Sequence, residues 1–321
     1  MTIRGALALT AVLAVTIGCG APHAQFPGSI DVRAPSTLRV RSAGRIVTVP
    51  FEDYVLASVL SEVTPLNETP ATVARIYEVQ AVIARTYAAA HLGRHAAEGF
   101  DVCDSTHCQL YEPARVQSSR FAPDARAAVE RTAGVLLVFE HRPAEALFHA
   151  DCGGFTAAAE TVWGGAAVPY LIAAPDDAPS LVHRAWRVTM TPARLRAALN
   201  ANPRSRVGNR FDGFRVTARD TGGRIETVVA GGELSPTLRG EELRSILNQT
   251  LGQPGIQSTR FAISREAAGF VFDGSGFGHG VGLCQRGATA RARDGEPLQD
   301  ILAHYFPGTT LQRGRAFFPQ P

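Results

Sequence analysis

The sequence predicts an α+β fold on three observations: strand-like alternation near the start of the folded part, helical stripes directly after it, and elements of both kinds interspersed without a regular βαβ period. Length permits one elaborate domain or two ordinary ones, since 321 residues with 45% hydrophobic content can bury a substantial core. Thirty-two Lys and Arg against 29 Asp and Glu give a formal charge of +3, a weak bias on so long a chain. No basic cluster with interleaved aromatics is present, which argues against a nucleic-acid partner.

The elements follow in order. Residues 1–18 read as an export signal, with Arg4 before an apolar run that ends in small residues. Thr16-Ile17-Gly18-Cys19 resembles a bacterial lipobox, with Thr16 where Leu is usual, so lipidation is expected at Cys19. The expected location is the cell envelope, with the membrane reached only through that lipid. No later stretch has the ~20 apolar residues of a membrane span. Residues 19–37, rich in Pro, Gly and small side chains, suit a flexible tether.

A core is expected over 38–175. It opens with a hairpin of Leu38–Arg41 and Ile46–Val49 around Gly44. Pro50 then starts a helix bearing Phe51, Val55, Leu56, Val59 and Leu60, with Glu52 and Asp53 in its first turn, that should stop near Glu62 before Thr64-Pro65. A longer helix carries Val73, Ile76, Gln80, Ile83, Tyr87 and Ala90 and ends around Gly93; Val135–Phe139 reads as a strand. Over 176–258 an amphipathic helix (192–200), two strands split by Thr221-Gly222-Gly223 and a helix from Arg239 to Asn248 suggest an inserted subdomain forming a substrate cleft. The core is expected to resume over 259–321, with a helix from Gln285 through Ala292.

Four segments offer chemistry. Glu62 falls at a helix C-terminus among Leu60, Val63 and Pro65, where the helix dipole and apolar neighbours both raise a carboxyl pKa. Such an acid, protonated near neutrality, can protonate a glycosidic oxygen, although a glutamate at a helix end is more often only a solvated charge. Gly274 to Ala288 alternates glycine with other residues, leaving His279 exposed between glycines; it is no dinucleotide fingerprint, because the Gly-x-Gly-x-x-Gly spacing is missing. Cys103, His107 and Cys108, with His95, fit either a structural zinc site or a local Cys103–Cys108 disulfide. The segment Phe148–Thr156 carries His149 beside Gly153 and Gly154. Without Cys19 the cysteines number four, an even set in an oxidising compartment. A bridge from Cys152 to Cys284 would join two glycine-rich segments across a cleft.

Together the stretches 54–63, 80–88, 104–111 and 276–288 resemble, in order, the stage II sporulation protein D family, which includes the LytB amidase-enhancer proteins. The resemblance implies a lytic transglycosylase that cuts the MurNAc-GlcNAc bond of peptidoglycan and leaves a 1,6-anhydro end, with Glu62 as its single acid and base. It requires no cofactor, although some members hold zinc near His107 and Cys108. It places Arg85, Gln109, His149, Gly153, Gly154, His279 and Gln285 around the glycan. Some members act instead by stimulating a cell-wall amidase, which makes a non-catalytic glycan-binding protein the alternative; a metal-dependent hydrolase using His149, His279 and Glu62 is a third reading. The sequence departs from the family at Val63-Thr64-Pro65, where Met-Pro usually follows the glutamate, and at Cys284, where many members have Ser; the latter supports the Cys152–Cys284 bridge.

Overall fold

The computed structural model describes residues 29–30, 35–252 and 255–314. The expected signal, Cys19 and most of the tether lie outside the described residues.

Two hydrophobic cores organise an α+β molecule. The first is built on two helices, α1 (Phe51–Glu62) and α2 (Pro70–Ala90). α1 is apolar almost all round, with Phe51 and every residue from Tyr54 to Ser61 buried, so it is surrounded by other elements. Pro50 precedes it, and Val63, in extended conformation, stops it. α2 starts at Thr69, whose Oγ1 accepts the Thr72 N–H at 3.2 Å, with Pro70 in the first turn, where no backbone donor is needed. It ends three residues before Gly93.

Against these helices lies the hairpin of Thr37–Ser42 and Arg45–Pro50, with Val102–Cys103 added in parallel beside Val40 and Arg41. The buried strand Val135–Phe139 pairs with Thr310–Gly314, which in turn pairs with Ser29–Ile30. Helices Ala122–Arg131, Gln285–Arg293 and Leu298–Tyr305 pack on α2. A short parallel pair, Phe148–His149 with Leu283–Cys284, splices the end of the chain into the first core.

The second core lies between two antiparallel three-stranded sheets. One has Ile225–Gly232 between Phe211–Arg219 and Thr237–Arg239; the other has Gly269–Ser275 between Ala185–Met190 and Phe261–Glu266. Helices Pro192–Asn200 and Gly240–Leu251 pack on the first of these sheets. The buried side chains include Trp186, Leu195, Leu199, Val228, Leu243, Phe261, Phe270 and Phe272. This core therefore draws in residues on the C-terminal side of 258, because the sheet needs Gly269–Ser275 as its central strand.

Candidate active site

Glu62 closes the last turn of α1 and lines a groove of about 450 Å³. One wall is its own segment, Val63 to Leu66 with Glu68. Opposite stand Ala150 and Asp151, the stretch around Val182 and Arg184, Phe277, and the face of the helix beginning at Gln285. The parallel pair that holds residue 149 beside residue 284 brings these distant segments to one place.

The carboxyl is held from one side only. Oε1 accepts the Leu110 N–H at 2.7 Å, and Oε2 has no hydrogen-bond partner among the described residues. Burial pushes its pKa from 4.5 up to about 7, against the opposing pull of the Leu110 N–H. The donor segment is itself fastened to α1: Glu112 N–H donates to Ser61 Oγ at 2.9 Å, and Tyr111 stacks on Tyr54 with ring centroids 5.2 Å apart. An acid half-protonated near neutrality, with one oxygen fixed and the other free beside a groove, can both give and take a proton.

Two expected glycan contacts are corrected by the packing. Arg85 is 0% exposed and pairs with Glu52 through Nε–Oε1 at 2.8 Å and Nη2–Oε2 at 2.7 Å. Its remaining bonds go to the carbonyls of Ala81, Val129 and Val135 and to Thr132 Oγ1, so it has no reach into the groove. Gln109, also 0% exposed, donates to the Ala84 carbonyl and to Tyr54 Oη. Both are polar ties inside the first core, where a buried polar side chain needs local partners.

The histidines sit behind the groove wall. His149 is buried, its Nδ1 3.2 Å from the Val281 carbonyl, and burial holds its pKa well below the usual value. His279 donates from Nε2 to the Phe148 carbonyl and accepts the Val281 N–H at Nδ1, each at 3.0 Å. Burial lowers its pKa to about 4, so both imidazoles are neutral at pH 7. Their rings lie 5.4 Å apart. Gly153 and Gly154 have φ of +73° and +110°, and a Cβ on Gly153 would stand 2.8 Å from the Ser275 carbonyl oxygen. They let residues 151–154 pass close to the strand ending at Ser275. Gln285 does line the groove, and its Nε2 donates to Gln80 Oε1 at 3.4 Å.

Asp151 and Arg184 were not singled out in the sequence as groove residues. Asp151 accepts the Gly153 and Arg184 N–H groups at 2.9 and 2.7 Å, as well as His183 Nδ1 at 2.8 Å, and so anchors the wall. A proximity of this kind, spanning more than thirty residues of irregular chain, leaves no local signal.

The four cysteines among the described residues form two clusters and are all free thiols here. In the first, donor atoms of His95, Cys103, His107 and Cys108 lie within 4.8 Å of one another. The sulfurs are 3.1 Å apart, beyond the ~2.0 Å of a bond. His95 Nδ1 bonds the Glu98 carboxylate at 2.7 Å, which turns its Nε2 toward Cys108 Sγ at 3.5 Å. A carboxylate behind an imidazole is the usual support of a metal-binding histidine. This donor set fits tetrahedral zinc. In the second cluster, Cys284 Sγ accepts the N–H groups of Cys152 at 3.2 Å and Gly287 at 3.3 Å, capping the helix at Gln285 much as a serine hydroxyl would. Among the described residues no cluster that fits a metal includes Glu62, which removes the ligand set of the metal-hydrolase reading.

The fold and site define a protein with a raised carboxyl, Glu62, beside a groove between segments far apart in sequence. Residues 40–139 match the model of the stage II sporulation protein family (SpoIID), and residues 179–282 match a domain of unknown function (DUF8618). Stage II sporulation protein D of Bacillus subtilis (strain 168) is 29% identical over 295 residues, 86% of this chain and 79% of that protein. The protein of the same name from Bacillus amyloliquefaciens is 28% identical over 286 residues, 85% and 77% of the two chains. An amidase enhancer of Bacillus subtilis (strain 168) is 27% identical over 289 residues, which are 76% of this chain and 39% of that longer protein. The resemblance read from four motifs thus extends over most of the chain.

Proposed function

We propose that this protein acts on the bacterial cell wall as a peptidoglycan lytic transglycosylase, with Glu62 as its only acid and base. The observation that carries this reading is the carboxyl itself: it is raised to about 7 by burial and has a free Oε2 beside the groove. In the proposed reaction protonated Glu62 donates to the glycosidic oxygen as the bond to the MurNAc anomeric carbon breaks. The 6-hydroxyl of the same sugar attacks that carbon, and the carboxylate takes up the hydroxyl proton. The products are a 1,6-anhydro end and a free GlcNAc hydroxyl, and Glu62 returns to its starting state. No second carboxylate is required, unlike an ordinary glycosidase pair. Asp151, which also lines the groove, is occupied by three donors and is suited to hold the wall instead.

His95, Cys103, His107 and Cys108 are proposed to hold a structural zinc, which would supply cross-linking with no chemistry on the sugar. Cys108 is two residues from Leu110, so this knot would steady the N–H that orients Glu62. Export and anchoring through Cys19 would place the protein where its polymer is.

The test is incubation of purified peptidoglycan with the protein and with Glu62→Gln. Anhydro-ended fragments, identified by mass, are expected from the first and not from the second. A second reading, stimulation of a cell-wall amidase, draws on the amidase-enhancer relative. It is favoured if neither protein releases fragments and both enhance an added amidase equally.

A further inference from the structure

A second cavity, of about 750 Å³, opens in the 186–272 core at the end of the sheet that contains Trp186. Its size falls in the roughly 300–1,000 Å³ range of ligand sites. It adjoins the groove along the chain: Arg184 and Phe277 line the groove, while Ala185 and Ser275 line the cavity. A backbone bond from Gly276 N–H to the Arg184 carbonyl, at 2.8 Å, ties the two strands where one hollow gives way to the other.

Two guanidinium groups line this cavity with only neutral partners. Arg219 donates to the carbonyls of Gly223 at 2.7 Å and Phe261 at 2.9 Å. Arg260 donates to the Gly222 carbonyl at 2.7 Å and to Ser275 Oγ at 3.4 Å. Both are thereby fixed in place without a carboxylate partner of their own, since Asp273, which also lines the cavity, is bonded to Arg187; this is the arrangement of a preorganised anion site. Arg187, in contrast, is spent on Asp273 and Glu266. Trp186 lines the same hollow and is 7% exposed, so its ring reports on whatever occupies that space. Its Cε2, the ring atom bonded to Nε1, lies against Gly274, itself in the cavity lining.

Resting on the proposed glycan reading, we infer that this cavity is a remote subsite for a carboxylate-bearing length of the same sugar strand, with Arg219 and Arg260 gripping the carboxylate and Trp186 forming part of the floor beneath the sugar. A strand engaged at Glu62 would continue past Arg184 into it. Arg260 Nη1 and His183 Nε2 flank Gly154, at 3.1 and 3.6 Å from the place its Cβ would take, and His183 is bonded to Asp151 of the groove. A run of contacts from Arg260 through Gly154 and His183 to Asp151 thus links the subsite to the groove.

The test uses the full chain carrying Glu62→Gln, so that the probe survives, and two probes: an octasaccharide of alternating GlcNAc and MurNAc with free lactyl carboxylates, and the same octasaccharide with those carboxylates converted to amides. Affinity is measured by calorimetry and by the emission of Trp186 after Trp163→Phe removes the other of the two tryptophans. The anionic probe is expected to shift the emission and to bind roughly tenfold or more tightly than the amide. Arg219→Gln and Arg260→Gln should erase that preference without weakening the amide probe, and Arg260→Lys should restore part of it. A salt titration of the unaltered cavity, in which affinity for the anionic probe must fall as ionic strength rises, gives the same answer if a variant misfolds. Equal affinity for both probes, a silent Trp186 or indifference to salt overturns the subsite. Cleavage by the Glu62-bearing protein is scored separately: charge-selective binding without anhydro ends defeats the proposed reaction alone, and cleavage with charge-blind binding defeats the subsite alone.

Discussion

The two ends of α1 carry the same residue type in opposite circumstances. Glu52, in the first turn, meets the positive end of the helix and the guanidinium of Arg85, 0% exposed. Glu62, in the last turn, meets the negative end, partial burial and a single backbone N–H. One carboxylate is compensated and ties α1 to α2; the other is left uncompensated beside a groove. The contrast separates a charge that serves the fold from one whose protonation is poised for chemistry, and only the second costs stability when it ionises.

The sharpest way to break this contrast is Glu62→Gln. If the distinction holds, release of anhydro-ended fragments falls by roughly 10²–10⁴-fold, the usual worth of a general acid and base, while the thermal transition stays in place. Arg85→Ala should do the reverse. It leaves Glu52 half-buried without its partner, so unfolding free energy in urea should drop by about 3–5 kcal/mol, with fragment release retained at temperatures where the variant is folded.

The pH response is a smaller but more specific effect. The folded pKa of Glu62 is raised from 4.5 to about 7, so the folded chain loses stability as pH rises across that window and the carboxyl ionises. Glu62→Gln has no such loss. Its advantage over the parent should be nil below pH 4.5 and on the order of 1–3 kcal/mol above pH 7, read as the difference between two urea titrations. Fragment release should decline over the same upper range, as the proton needed by the leaving oxygen is lost. The buried histidines act in the other direction for both proteins. His279, lowered from 6.5 to about 4, makes stability fall as pH drops from 6.5 toward 4, so the comparison must be made pairwise at each pH. The smallest effect is expected from Ser61→Ala, which removes the acceptor of the Glu112 N–H. A loss of about 1 kcal/mol in stability should appear with a modest drop in turnover, through a looser Leu110 grip on Glu62.

Much of this architecture was legible in the sequence, and the exceptions have physical reasons. α1, α2, the strand at 135–139 and the helix at 192–200 bury a continuous stripe or run, so periodicity reveals them, whereas the hairpin around Gly44 buries only Leu38 and Val40 of its first strand and is marked by its turn. The helix Ala122–Arg131 buries only Ala125, Ala128 and Val129, too little apolar content to register. The sheet of 185–190, 261–266 and 269–275 escaped notice because its strands come from distant stretches and their outer faces alternate weakly. At the site, the helix end and apolar neighbours of Glu62 alone suited a solvated charge equally well, and the family resemblance is what singled it out. Arg85 and Gln109 were misread because a polar residue within a motif was assigned to a ligand, whereas each satisfies buried partners of the first core. Asp151, Arg184 and Arg286 reach the groove only through pairings that span the chain.

The parallel splice of Phe148–His149 with Leu283–Cys284 also sets the order in which the machinery becomes complete. Glu62 is synthesised more than two hundred residues before Gln285 and Arg286, which line the same groove. A nascent or truncated polypeptide therefore owns the acid without the jaw that closes on it. Latency of this kind would hold the proposed activity back until the segment around residues 283–286 has emerged and paired.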